Sequence, residues 1–303
     1  MFSRLLFKVK FRYLFFIFIF GTIINFQVAF FSISFVSLKL YFESKKIIYL
    51  ILVYIFLTFL IVDLFAPKVF LDKNDYFTSS NIEYDIRKNF GYYPKVNSKF
   101  TEKIYFKGNL FKEINYTINK YGHRKTFNLN MQNNECIAFF GGSIVFGQSL
   151  SDNETIPYFV SKKLKGKYAV FNFAFNGYGP HQFLHKIEND NLDELINCKN
   201  LKFVYLYIHD HIGRVVGKRS WGEQSPRYIL NKEKLYQKDL FSSYPYKLIM
   251  KLRKNVRNSK IISTLYDVNK INKNNEYLLV EILKEIEKKI KERYSNSEII
   301  YLV

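Results

Sequence analysis

The chain has 303 residues, with 46 Lys and Arg against 26 Asp and Glu and a formal net charge of +20. That length fits one large domain or two small ones and can build a core without a disulfide or metal staple. Two cysteines exclude a cysteine-rich secreted scaffold and a four-cysteine zinc site, 13 Gly and 6 Pro exclude collagen-like and proline-rich chains, and 48% hydrophobic with 19% aromatic residues exclude global disorder.

The basic residues are mostly Lys, spread among many Asn, Ile, Tyr and Phe. That spread reads as compositional bias rather than as a nucleic-acid surface. No RNA- or DNA-binding motif of known type accompanies it, so no nucleic-acid partner is expected.

Residues 1–66 read as a membrane anchor. Tyr13 to Leu38 carries no Asp, Glu, Lys, Arg or His, and Ile47 to Val62 is a second charge-free run that ends at Asp63 and Pro67. At 1.5 Å per residue the first run crosses a hydrocarbon core of about 30 Å. Neither run has the polar face of a soluble surface helix. The first is too long for the apolar part of a cleaved signal peptide and lacks an Ala-x-Ala-like site. Two transmembrane helices forming a hairpin are therefore expected. Their flanks hold Arg4, Lys8, Lys10, Arg12, Lys68 and Lys73 at the two ends, against Lys39, Lys45 and Lys46 in the loop. That count leans towards a cytoplasmic C-terminal part.

Residues 67–135 alternate in short stretches such as Lys103–Phe106 and Ile114–Ile118, punctuated by Gly91, Pro94, Gly108 and Gly122. They read as lead-in hairpins and loops. Residues 136–303 then alternate differently. Short apolar runs at Ile137–Phe140, Tyr168–Phe173, Phe203–Ile208 and Glu298–Val303 read as strands. Helical patterns at Asp152–Leu164, Gln182–Leu195 and Glu276–Arg293 separate them, the last apolar at Leu279, Ile282, Ile286 and Ile290. Asp152 or Asn153 is the cap candidate for the first. This order predicts an α/β domain with a parallel sheet and helices on both faces. An insertion at 212–270 interrupts it with a hairpin near Arg227–Lys238 and a basic stretch, Lys247–Lys260, read as solvated surface.

In such a sheet, ligands bind outside the carboxyl ends of the strands. The first strand ends in Gly141-Gly142-Ser143, the second in Asn176-Gly177-Tyr178-Gly179, the third in His209-Asp210-His211. A serine on a tight glycine turn leading into a helix suits a nucleophile with adjacent N–H groups. The same turn also suits phosphate binding or a plain helix start. His181 and His185 are one helical turn apart, but without a third ligand they read as a helix face rather than a metal site. No metal or cofactor is expected.

Together these motifs resemble the SGNH/GDSL hydrolase superfamily: GGSIVFG at 141–147, SDNETIPYFVSKKL at 151–164, NFAFNGYGPHQ at 172–182 and YLYIHDHIGR at 205–214, preceded by NYTINKYGHRK at 115–125. The resemblance covers about residues 85–303. It implies a flavodoxin-like three-layer αβα fold and ester chemistry on acyl groups. It assigns Ser143 as nucleophile, with its own N–H and that of Gly177 as oxyanion donors. Two departures stand out. The family's third donor, an Asn in a GxND turn, is replaced by His209-Asp210-His211, so Asp210 and His211 are read as shaping the site. The family's late DxxH turn is absent up to Val303. Either that block lies outside this sequence, or the chain lacks the dyad that activates Ser143.

In the flavodoxin-like order that the resemblance implies, the first and third strands are parallel neighbours. Cys136 and Cys198 then fall at the sheet edge opposite Ser143. They form either a disulfide, which would argue for an extracytoplasmic side, or two separate thiols. The resemblance also favours the envelope side, so localisation at a bacterial inner membrane is expected with a lean to the periplasm. The expected function is a membrane-anchored serine esterase or O-acyl-transfer protein acting on envelope glycan or lipid esters. The alternative is a non-catalytic binding or assembly module of the same descent.

Overall fold

The computed structural model describes residues 18, 21–22, 25–65, 76–80, 82–127, 135–190, 192, 198, 200–267, 269–294 and 296–303. Arg4, Lys8, Lys10, Arg12, Lys68 and Lys73, most of 13–24, and 193–195 at the end of the expected Gln182–Leu195 helix lie outside the described residues. The chain divides into two compact units, Met1–Asp72 with Tyr244–Lys270 and Lys73–Ser243 with Ile271–Val303. The lead-in hairpins and the α/β part thus fall into one unit. The 212–270 insertion is split between the two.

The first unit contains the helices Phe26–Ser44 and Ile47–Phe65, both long and apolar enough to cross a membrane. Asn25 caps the first, its side chain accepting from Gln27 N at 2.8 Å. Lys45, in the left-handed conformation, ends it. Phe30 packs on Phe56 and Phe59 across the pair. The second helix leaves Ile47, Ile51, Ile55, Leu57, Phe59, Ile61, Val62 and Leu64 exposed, an apolar surface of the kind that marks a membrane or protein contact. The unit also holds helices Tyr246–Asn258 and Lys260–Leu265. Asp63, buried at the end of the second apolar helix, accepts from Ser259 Oγ at 2.8 Å and Ile261 N at 3.1 Å.

The second unit is mixed α/β. Its four-stranded parallel sheet consists of β6 (Glu135–Phe140), β7 (Ala169–Asn172), β8 (Asn200–Leu206) and β11 (Glu298–Leu302). Their spatial order is β11-β8-β6-β7. In chain order the strands therefore run 2-1-3-4 across the sheet. Alternation along β6 feeds two separate core layers. Phe140 joins Phe183, Phe203, Ile282 and Ile286 on one face, while Phe139 joins Val170, Val204 and Phe175 on the other. A parallel sheet covered on both faces needs near-continuous apolar runs, which these short strands supply apart from their ends and Lys202. Helix Lys273–Arg293 buries Leu279, Ile282, Ile286 and Ile290, the stripe that its periodicity predicts.

Three antiparallel strands, β1 (Tyr76–Ser80), β4 (Ser98–Phe106) and β5 (Asn109–Ile118), form a sheet in the order β1-β4-β5, and β2 (Tyr84–Arg87) pairs antiparallel with β3 (Gly91–Pro94). Lys107 and Gly108, both at positive φ, make the β4–β5 turn, as a primed hairpin turn requires. Arg124 couples this sheet to the parallel one. It forms isolated bridges with Ile118 on β5 and with Asn172 at the end of β7. The hairpin expected near 227–238 is β9 (Pro226–Asn231) and β10 (Lys234–Leu240).

One helix start differs from expectation. Asp152 does not cap Ile156–Lys163; Thr155 does, accepting from Tyr158 N. Asp152 instead accepts from Arg124 Nε and Thr117 N, each at 3.1 Å. A buried guanidinium is a stronger claim on a carboxylate than a helix N–H.

Cys136 and Cys198 form a disulfide, with Cα atoms 6.0 Å apart and 62 residues of separation. It closes the β6–β8 pair at the end remote from Ser143. Peptide mapping without reductant should recover the two cysteines in one cross-linked fragment. The Cys136→Ala/Cys198→Ala pair should cost about 2–4 kcal/mol in denaturant unfolding, the typical range for a native disulfide, with the loop-entropy figure at its upper end. Recovery of both as free thiols from oxidised protein would contradict the cross-link.

Candidate functional site

The turn after β6 carries Ser143, and its geometry requires glycine. A Cβ on Gly142 would lie 2.5 Å from Arg214 Nη1 and 3.1 Å from the Tyr178 carbonyl. Ser143 opens the short helix Ser143–Phe146. Arg124, itself fully buried, ties down the far end of that helix. Its Nη1 donates to the carbonyls of Phe146 and Gly147 at 2.6 Å each, its Nη2 to Leu150 O, and its Nε to Asp152. Asn172, at the end of β7, donates from Nδ2 to Val145 O at 3.0 Å.

Ser143 lies in a cleft of about 910 Å³, whose lining includes Gly177, Asn176, Asp210, Arg214 and Trp221. Three of the sequence-predicted positions, Ser143, Gly177 and Asp210, thus share one cleft at the carboxyl ends of the strands. Gly177 has φ +77°, and a Cβ there would meet Trp221 Cδ1 at 2.6 Å and Tyr92 Oη at 2.8 Å. Among the described residues, neither Ser143 Oγ nor the N–H groups of Ser143 and Gly177 have a hydrogen-bond partner. Asn176 Oδ1 is likewise buried and without a donor among them.

Asp210 is committed to ion pairs. Its Oδ2 accepts from Arg214 Nε at 2.8 Å and its Oδ1 from Arg219 Nε. Burial pushes its carboxyl up, but the bonds and charges of the two arginines outweigh that and hold it below the usual carboxylate range. An ionised carboxylate cannot donate to an oxyanion. Asp210 therefore acts by fixing Arg214. Arg214 also donates from Nη1 to Tyr178 O at 2.6 Å, so its planar group is set against the Gly142 turn. Arg214 was not singled out in the sequence, where it is one of many cations. Its one signal is the i, i+4 spacing from Asp210 on the helix Asp210–Val215. Trp221, Glu223 and Gln224, from the insertion, also line the cleft.

The histidines lie elsewhere. His211 is fully buried, its Nδ1 2.8 Å from Tyr205 Oη, and it is not among the residues lining the cleft. Burial, aided by the Arg214 charge, pulls its pKa down to about 3. His209 is exposed. His185 Nδ1 meets Gln237 Oε1 at 2.6 Å. His123 packs on Phe173 with ring centroids 3.9 Å apart. Neither His123 nor His181 has a partner for its ring nitrogens among the described residues.

No protein-family model matches the chain, and no curated protein matches it. Among solved structures it is similar to the psychrotrophic esterase EstA from Pseudoalteromonas sp., in a form inhibited by monoethylphosphonate. That similarity has 10% identity and a TM-score of 0.26, over 55% of this chain and 77% of the other.

The buried histidines set an acid limit on stability. Burial holds His123, His181 and His211 neutral in the folded state, with depressed pKa values. The unfolded chain protonates them near the ordinary value of about 6.5 and so binds more protons below it. Stability is therefore full above that value and falls as pH drops towards the folded pKa, by up to about 1.4 kcal/mol per pH unit per histidine. His123→Phe should leave neutral-pH stability unchanged or higher and flatten the acid slope by about that amount per unit below pH ~6. Thermal or denaturant unfolding across pH measures it; an unchanged slope would contradict a neutral buried His123.

Proposed function

We propose that the cleft is a serine acyl-ester site of the SGNH type, carried on a membrane-anchored chain and acting on glycan or lipid esters of a bacterial envelope. The observation that carries this reading is the meeting in one cleft of Ser143 Oγ and two N–H groups, all unpartnered among the described residues, with a fixed guanidinium. Ser143 Oγ adds to the ester carbonyl. The Ser143 and Gly177 N–H groups, joined by Arg214, hold the developing oxyanion. The C–O bond to the alcohol then breaks, the alcohol leaves with the proton given up by Ser143, and water or a sugar hydroxyl takes the acyl group in the second half. Arg214 thus takes the place of the third, Asn-type donor.

The proton needs a carrier in the cleft. Asp210 is held by two arginines. Glu223 is the lining carboxylate with no cation on it among the described residues, and it is assigned here as the base. The two helices long and apolar enough to cross a membrane support a membrane setting for this reading, and the Cys136–Cys198 disulfide supports its oxidising, periplasmic side.

A second reading, a non-catalytic module that binds such esters, is favoured by the absence of any histidine from the described lining of the cleft. A fluorophosphonate probe on the membrane-embedded chain separates the two. The esterase reading predicts covalent label on Ser143, lost in Ser143→Ala, and a drop of about 10²-fold or more in the labelling rate of Glu223→Gln. An unlabelled Ser143 in folded protein would leave the binding module.

A further inference from the structure

Residues 240–266 contain no Asp or Glu but carry Lys247, Lys251, Arg253, Lys254, Arg257 and Lys260. The structure sorts three of these six by side. At 100° per residue, the helix Tyr246–Asn258 gathers Lys247, Lys251 and Lys254 on one face and Leu248, Ile249, Leu252 and Val256 on another. Leu248, Ile249 and Leu252 are each more than 40% exposed. The stretch is therefore not simply solvated surface, as its charge alone suggests.

The apolar face is continuous with the two apolar helices. Val256 is buried against Phe26 and Phe30, with Phe56, Leu60 and Ile262 beside them. Asp63 caps the following helix Lys260–Leu265 through Ser259 Oγ and Ile261 N. A stripe that starts in the packing of the anchor and ends uncovered, flanked by Lys251, Asn255 and Arg253 and by no acidic side chain of its helix, fits one environment: the boundary between acyl chains and anionic headgroups. We propose that Tyr246–Asn258 lies in that boundary, with Leu248, Ile249 and Leu252 on the acyl side and Lys247, Lys251 and Lys254 on phosphate headgroups. This rests on the reading of Ile47–Phe65 as a membrane span.

The test uses the full chain reconstituted in bilayers of phosphatidylcholine, with and without phosphatidylglycerol, each with and without brominated acyl chains. Leu252→Trp and, separately, Leu57→Trp report against the single native tryptophan, Trp221. The proposal predicts a blue-shifted Leu252→Trp emission, quenched by bromine and more strongly with phosphatidylglycerol. That lipid dependence should vanish when Lys247, Lys251 and Lys254 are all changed to Gln. Quenching at residue 57 without quenching at residue 252 overturns the proposal and leaves the anchor standing. Quenching at neither overturns the anchor as well. A blue shift at residue 252 without quenching means that a second protein surface covers the stripe, and also overturns it.

Discussion

Arg124 is the side chain on which the site-bearing unit depends. Its guanidinium is removed from water and is offset by three carbonyl oxygens and one carboxylate. It also lies over the Tyr116 ring, 4.3 Å from the centroid. Burying a charge this deeply is tolerated only when its donors are met. Two of those acceptors are the end carbonyls of the helix that begins with Ser143, where a cation complements the exposed C=O groups. The backbone of the same residue bridges β5 to β7. One residue thus joins the antiparallel sheet, the parallel sheet and the serine turn. Tyr116, stacked between Phe100 and Phe146, extends the joint through Glu102 and the Ser149 N–H.

The cleft is organised by a second ionic cluster. Asp210 draws Arg214 and Arg219 together, and Arg214 closes on the Gly142 turn. The two arginines outnumber the carboxylate that joins them, so the cluster keeps a net positive charge beside the Gly142 turn. Its low exposure lets that charge count for more than it would in water.

Much of the α/β unit is legible in the sequence because its signals are local. Four short apolar runs mark the strands, three of them ending in Gly, Asn or His turns that mark their carboxyl ends, and the stripe Leu279–Ile282–Ile286–Ile290 marks the long helix. What local pattern cannot carry is long-range pairing. Asp152 reads as a helix cap until Arg124, 28 residues away, claims it. Arg214 reads as background charge until the fold brings the Gly142 turn to it. The stretch 246–265 reads as part of an α/β insertion, yet it packs with helices almost 200 residues earlier through Asp63 and Val256. The surplus of 20 positive charges is thus not uniform in meaning. Five of the cations belong to one amphipathic helix, and two others hold the cleft.

The most direct test of the account is native-state hydrogen exchange of the full chain carrying Arg124→Lys. Lysine keeps the charge but cannot reach four acceptors at once. The hydrogen-bonded amides from Phe146 to Ser151 should lose protection by about 10²-fold or more, the scale of losing charge-assisted hydrogen bonds. Those of β6 and β8 should hold. Unchanged protection across 146–151 would contradict the claim that the Arg124 guanidinium is what fixes the serine turn.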